Sequence, residues 1–180
     1  MLERPAFRQR AAYPGGVLLS TLAVALAACA SPGVPDALRP DPAESLALVL
    51  SAEGVQVYEC RPGHEPSAGW TFVAPEAELF ERGRPVGRHG AGPFWQLADG
   101  SRIVGTPKQR AEAPDPRAIP WLLLGARSTG AKGVLSGVTS VQRIHTAGGT
   151  APSSGCDAAS AGSTTRVPYV AQYRFFKVRH

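Results

Sequence analysis

The 180-residue sequence lacks the motifs that build metal, redox or nucleic-acid sites. Its three cysteines and four histidines form no C-x-x-C or H-E-x-x-H motif, which argues against a zinc site. It contains no G-x-G-x-x-G segment of the kind that binds dinucleotides. It also lacks Lys/Arg runs and an aromatic RNA-binding motif. The sequence therefore predicts no metal, no cofactor and no nucleic-acid partner.

No apolar run near the N-terminus is long enough to span a bilayer as a stable helix. Residues 17–28 are apolar but too short, and they follow Arg4, Arg8 and Arg10, a pattern typical of an export signal over residues 1–28. Residues 26–29, Leu-Ala-Ala-Cys, resemble the lipobox of bacterial lipoproteins, in which the cysteine is acylated. The alternative is ordinary cleavage after Ala28. We expect a lipoprotein of the bacterial cell envelope, anchored to the membrane through Cys29.

The predicted destination follows from one further residue of that resemblance. Ser31 stands at the second position after the cysteine, where aspartate would favour the inner membrane, so the outer membrane facing the periplasm is expected.

Without the signal, the chain is only mildly basic. Residues 1–28 carry three of the 19 Lys+Arg and one of the 14 Asp+Glu, which leaves a formal charge of +3. Residues 29–42 contain four prolines and little apolar content, which predicts an extended, flexible, lipidated tether. Residues 43–180 fit one compact domain with a real core.

Two cysteines remain once Cys29 is assigned to the lipid. In an oxidising compartment Cys60 and Cys156 are the available pair, which predicts a disulfide. In the chain-entropy picture a loop of this length contributes about 4 to 5 kcal/mol at most.

The hydropathy pattern after residue 50 indicates β-structure. Residues 55–60 alternate strictly, with Gln56, Tyr58 and Cys60 on one side, and residues 167–178 alternate in the same way. Further strands are predicted at 70–74, 76–80 and 138–146, while the apolar run 118–125 is predicted to be buried as either strand or helix. About eight short strands without a long helix predict an all-β domain, either a β-sandwich or a small β-barrel.

Asp99 and Gly100 indicate the turn of a β-hairpin. A two-residue turn there places Trp95 opposite Val104, with Trp95, Leu97 and Val104 on one face. Upstream, Gly87, Gly90 and Gly92 surround a histidine with residues that allow close backbone approach or unusual φ, which predicts a shaped loop entering the hairpin.

That histidine, His89, makes this stretch the best candidate site. If the chain is a ligand-binding module, aromatic side chains would line the pocket and polar ones would orient the ligand. The predicted binding residues are Trp70, Trp95, Trp121 and Tyr169, with His89 and Gln96 as the polar groups.

Two other functions remain open. In a hydrolase, His89 would act as general base oriented by Asp99, with Ser101 as nucleophile. Asp-Gly-Ser is also an ordinary turn sequence, however, so the stretch could equally belong to a structural or protein-interaction module.

Six sequence blocks carry a resemblance to a known family. They are residues 54–60, 75–79, 87–93 with Trp95 and 99–101, 119–124, 141–144 with 146–149, and 168–173. In this order they resemble the domain-of-unknown-function family 3455, over nearly the whole mature domain. The resemblance implies a secreted or periplasmic domain of unassigned biochemistry. Some fungal relatives carry a malate dehydrogenase label, which this chain does not support because it lacks the dinucleotide motif.

Overall fold

The computed structural model describes Met1 and residues 33–63 and 69–179. The predicted export signal, Met1 apart, and the predicted acylation site Cys29 lie outside the described residues. The chain divides into two units, Met1–Ser31 and Pro32–His180, and the second contains the fold. Across the described residues, no helix combines the length and the apolar character needed to cross a membrane.

In the described part of the chain, eight antiparallel strands close into a barrel. The strands are β1 Glu44–Cys60, β2 Trp70–Glu81, β3 Arg84–Gly90, β4 Phe94–Leu97, β5 Arg102–Ala111, β6 Trp121–Ser128, β7 Val138–Gly148 and β8 Thr164–Val178. Each strand pairs with the next, and β8 closes the ring by pairing with β1. The all-β prediction is confirmed. Of the two predicted architectures, a β-sandwich and a small β-barrel, the structure has the barrel.

Alternating burial along the strands fills the interior. Gln56, Tyr58 and Cys60 of β1, which were predicted to share one side, are all buried, and Val57 of the other side is buried as well. The predicted apolar face of β8 is also buried and comprises Tyr169, Ala171, Tyr173 and Phe175. Small barrels of eight strands have an interior that side chains can fill or that can hold one small ligand.

The two strands predicted at 70–74 and 76–80 are a single strand, β2. Pro75 lies within it, opposite Gln56 of β1. The pairing of the two strands shifts register between Val57 and Tyr58, close to the pair that Gln56 forms with Pro75.

The apolar run 118–125 is buried on both faces of β6. Leu124 packs in the main core inside the barrel, whereas Trp121 and Leu123 pack in a second cluster with Leu38. The run therefore cannot alternate, which is why its pattern was ambiguous.

The prediction of a flexible tether is wrong for residues 33–42, the described part. These residues include a short 3-10 helix, Asp36–Leu38, and the Leu38 side chain is 0% exposed. The Gln142 side chain donates a 2.7 Å hydrogen bond from Nε2 to the Leu38 carbonyl. The segment covers apolar side chains of β6 and β7 that would otherwise face water.

The hairpin between β4 and β5 is confirmed, but its predicted register is wrong. Leu97 N donates to Ser101 O and Gly100 N donates to Leu97 O, each at 3.0 Å, and Gly100 has a φ of +81°. Three residues therefore form the loop, with glycine at its left-handed position. The register moves by one residue, so Trp95 pairs with Ile103 instead of Val104.

The predicted disulfide is confirmed. Cys60, the last residue of β1, is bonded to Cys156, with the two Cα atoms 5.3 Å apart. Cys156 lies in the long connection between β7 and β8, so the bond ties that connection to the end of β1.

Candidate ligand-binding cavity

One end of the barrel contains a cavity of about 540 Å³. It lies where β1, β3, β5 and β7 end and where the strands that follow them begin. Its lining comprises Gln56, Tyr58, Phe72, Pro75, His89, Pro93, Trp95, Pro107, Arg110, Ile119, Pro120, Leu122, Leu124, Arg143, Thr150, Ala151 and Tyr173. Phe72 is 51% exposed, so the cavity reaches the surface. The volume and the mainly apolar lining are those of small-molecule sites.

Three rings in mutual contact form one wall of the cavity. The His89 ring lies 4.6 Å from the Trp95 ring at 17°, and 5.0 Å from the ring of Tyr173. Trp95 meets Tyr173 edge to face at 5.3 Å. The large Trp95 ring fits because β5 has glycine beneath it: a Cβ on Gly105 would lie 2.8 Å from Trp95 Cζ3.

The prediction that His89 lies on a loop is wrong, because it belongs to β3 and is 4% exposed. Of the surrounding glycines, Gly92 has a positive φ of +113°, whereas the other two are needed for close backbone approach. A Cβ on Gly87 would clash with the Gln96 carbonyl of the neighbouring strand, and one on Gly90 would lie 2.7 Å from the Phe94 ring. These glycines allow close strand packing.

His89 is a neutral hydrogen-bond donor in this wall. Its Nδ1 lies 2.7 Å from the Phe94 carbonyl oxygen, which can only accept, so Nδ1 carries the hydrogen. The pKa of His89 is lowered from 6.5 to about 4, chiefly by burial; the hydrogen bond to the Phe94 carbonyl opposes this shift, and the positive charge of Arg143 contributes to it.

Arg143 brings a positive charge into the interior of the barrel. In β7 it pairs with Leu122 of β6 and Tyr173 of β8, and all three line the cavity. Its guanidinium donates to the Pro120 carbonyl from Nε at 3.2 Å and from Nη2 at 2.8 Å. Within the described residues, no carboxylate forms a salt bridge with Arg143 and none lines the cavity.

Some residues of the lining also carry buried polar atoms that have no hydrogen-bond partner. Gln56 is 2% exposed, and its Nε2 has no hydrogen-bond partner; the same holds for Nε1 of Trp95. The Tyr173 hydroxyl lies near Arg143 and Tyr169, which affect its pKa, but the strict geometry of a hydrogen bond is met with neither. Burial raises the pKa of Tyr173, so this hydroxyl keeps its proton. By contrast, the Tyr58 hydroxyl donates to the Gly149 carbonyl at 2.6 Å.

The hydrolase candidates do not come together. The turn that carries Asp99 and Ser101 lies at the opposite end of the barrel from the β3–β4 turn beside His89, because successive hairpins alternate between the ends. The Ser101 hydroxyl donates to Asp99 Oδ1 at 2.6 Å and accepts from Leu135 N at 3.2 Å. These bonds hold the loop that inserts Leu135 into the core.

The predicted binding residues separate into two groups. Trp95 and His89 line the cavity. Gln96 accepts a hydrogen bond from Arg88 on the outer surface, Trp121 belongs to the outer cluster with Leu38, Trp70 donates to the Ser154 carbonyl, and Tyr169 is buried in the core beside Tyr173.

Arg143, Gln56 and Tyr173 were not predicted from the sequence as site residues. A signal existed for each. Gln56 and Tyr173 lie on faces of β1 and β8 that were predicted correctly, and a glutamine on an otherwise buried face is unusual. Arg143 lies two residues after Val141 in a β-branched run, and period-two alternation puts both on one face.

Metal ligands are not assembled in the described residues, where no group of three or more His, Cys, Asp or Glu side chains could hold an ion.

Comparison with known proteins yields a family and no activity. No curated protein and no solved structure matches the chain. A family model described as "Protein of unknown function (DUF3455)" matches residues 40–85 and 81–177, which cover the whole barrel but for its last residue. The chain therefore belongs to the DUF3455 family.

Proposed function

We propose that this chain is an exported lipoprotein of the bacterial cell envelope whose barrel binds a small, mainly apolar molecule. The observation that carries the proposal is the cavity of about 540 Å³, in which aromatic and aliphatic side chains surround a few unpartnered polar atoms. Convergent polar groups in an apolar pocket are what fixes the orientation of a bound small molecule.

The wall geometry supports binding over turnover. The ring of His89 is stacked on Trp95, and its Nδ1 is engaged by a backbone carbonyl. Asp99 and Ser101 are engaged with each other and with the loop around Leu135. Among the described residues, the cavity therefore offers a shaped apolar surface without an assembled nucleophile and base.

The Cys60–Cys156 disulfide supports export. Such bonds persist in the periplasm and outside the cell and are rare in the reducing cytosol. The basic start, the apolar run and the lipobox-like residues 26–29 support the lipid anchor.

Binding in the cavity is tested with N-phenyl-1-naphthylamine, a neutral dye that fluoresces in apolar surroundings. We expect saturable binding to the wild type and a loss of about tenfold or more in Ala151→Trp, because the added indole occupies the mouth beside Ala151. Ala98→Trp is the matched control, since Ala98 is exposed at the opposite end of the barrel. Wild-type protein that does not bind the dye, or an Ala151→Trp variant that binds it unchanged, contradicts the proposal.

The lipid anchor is tested at Cys29. We expect Cys29→Ser to abolish labelling by a palmitate analogue and to release the protein from the membrane fraction, because one or more acyl chains would supply the anchor. Unchanged labelling of the variant would refute the lipobox assignment.

A further inference from the structure

We propose that the molecule bound in this cavity carries a carboxylate or an equivalent single negative charge, which pairs with Arg143 while an apolar body packs against the Trp95 wall. This inference rests on the proposed binding function and names the chemical class of the ligand.

Within the described residues, the half-buried guanidinium of Arg143 has hydrogen-bond donors that remain without an acceptor. A guanidinium removed from water costs free energy unless a counter-charge or several acceptors satisfy it. Arg143 is half-buried, and its bonds to the Pro120 carbonyl use Nε and one hydrogen of Nη2. The donors of Nη1 remain, and a carboxylate matches the geometry of a guanidinium edge.

No acidic side chain of the described lining competes with a ligand for Arg143. The described lining of the cavity contains no Asp or Glu, so the positive charge of Arg143 is not neutralised from within. Arg110, also in the lining, differs, because it forms a 3.0 Å ion pair with Glu112 at the surface. Of the two arginines in the described lining, Arg143 is therefore the one that an entering anion would find without a counter-charge.

Neutral hydrogen-bond donors of Tyr173 and Gln56 belong to the same lining as the Arg143 guanidinium. Tyr173 pairs with Arg143 across β7 and β8, and its hydroxyl lies near the guanidinium. Gln56 Nε2 is unpartnered in the same lining. An anion accepts hydrogen bonds from such groups, whereas a ligand cation would be repelled by Arg143.

Charge counting favours a single negative charge. His89 shares the wall, and its lowered pKa leaves it neutral near pH 7. A doubly charged group such as a phosphate dianion would have one cation for two charges in an apolar cavity. A monoanion is matched.

The experiment compares an acid with its isosteric amide. 1-Naphthylacetate and 1-naphthylacetamide are measured as competitors of N-phenyl-1-naphthylamine at pH 7. We expect the acid to displace the dye from the wild type at about tenfold lower concentration than the amide. Equal displacement by the two compounds overturns this inference and leaves the proposed binding function standing. Failure of the dye itself to bind overturns both.

Variants assign the preference to the cation. Arg143→Gln should reduce the ratio of acid to amide affinity to near one while amide binding persists, and Tyr173→Phe, which keeps the ring, should lower acid affinity roughly three- to tenfold. Arg174→Gln is the matched control, because Arg174 is the next residue of β8, faces outward and bonds to Gln172. If Arg174→Gln abolishes the preference as strongly as Arg143→Gln does, the effect is one of net charge and the site is refuted.

Discussion

His89 shows how burial can turn a residue that resembles a catalytic base into a neutral part of a wall. Its ring is stacked on Trp95, and its pKa is lowered to about 4, chiefly by burial. Because the folded state holds the ring neutral while the unfolded chain protonates it near pH 6.5, folding is favoured most above that pH.

The first prediction is a pH dependence of stability caused by His89. As pH falls from 6.5 to about 4, the unfolded state binds a proton that the folded state refuses, so the free energy of unfolding should fall by at most about 3 kcal/mol. His89→Phe, which keeps a stacked ring, should flatten this decline. Urea denaturation of both proteins across the pH range measures it.

The control for this titration is His145, whose pKa is also lowered by burial, though the residue is only half-buried. Its φ of +49° suits asparagine, so His145→Asn should fold and should flatten the curve less. Parallel pH curves for the wild type and His89→Phe would show that His89 is not the titrating group.

The sequence identified His89 as a candidate site residue but did not predict the strand and the buried contacts that surround it. The glycines were predicted to allow either close backbone approach or unusual φ. Gly87 and Gly90 lie within β3 and allow Leu97 and Phe94 of β4 to pack closely, whereas Gly92 has a φ of +113°. One sequence cannot distinguish a glycine selected for its φ from one selected for lack of a Cβ, because the distinction lies in residues distant along the chain.

The β4–β5 hairpin and the loop after β6 act together as the closed end of the barrel. The Asp99 side chain accepts from Val134 N at 2.7 Å, and the Ser101 hydroxyl accepts from Leu135 N. The hydrogen bond from the Ser101 hydroxyl, followed by those from the Val134 and Ser101 N–H groups, lowers the pKa of Asp99 and keeps it ionised as an acceptor. The turn residues that suggested catalysis thus position the side chain of Leu135.

The second prediction concerns Ser101, which is 0% exposed. Ser101→Ala leaves the buried Leu135 N–H without its acceptor and should lower the free energy of unfolding by about 1 to 3 kcal/mol. Ser136→Ala removes a hydroxyl from the same loop at an exposed bond to Gly133 N and should change it by less than about 0.5 kcal/mol. Denaturation curves and hydrogen exchange of the Leu135 amide report the difference; equal stability of Ser101→Ala and wild type contradicts the structural role.

Among the strands, the sequence predicted the type of element better than its partners. Alternation in β1 and β8 identified their buried faces, since period two is a local property. The one-residue error opposite Trp95 arose because a three-residue loop and a two-residue loop use the same Asp-Gly pair. Covering of residues 118–125 by Leu38 could not be read from the strand itself.

At the scale of the molecule, the disulfide links the barrel wall to the cavity mouth. Cys60 ends β1, and Cys156 lies in the same connection as Thr150 and Ala151, which line the cavity. Loss of the bond therefore affects both global stability and the mouth.

The third prediction is that Cys60→Ala/Cys156→Ala lowers the free energy of unfolding by at most about 4 to 5 kcal/mol, because the bond spans a sequence separation of 96. Peptide mapping without reductant should recover the 60–156 pair, and reductant should bring the wild type to the stability of the variant. Protein isolated without reductant that yields two alkylatable thiols contradicts the pairing.

Of the whole molecule, the number of strands and the disulfide were predictable, whereas ring closure and the cavity were not. Closure depends on pairing between Glu44 and Val178 and along the rest of β1 and β8, contacts that local pattern does not encode. The positive charge of Arg143 matters because of residues that are distant along the chain and close in the fold. The local sequence pattern therefore did not single it out.

The pairing of β1 with β8 also determines when during folding the protein becomes safe from self-association. Until β8 docks, β1 and β7 present open edges whose unpaired N–H and C=O groups can pair with another chain. The final contact joins residues separated by almost the full domain, which places this barrel among slowly folding topologies. A chain that ends before Thr164 lacks the strand that removes both edges, and it stays a template for intermolecular β-pairing however well its other seven strands fold.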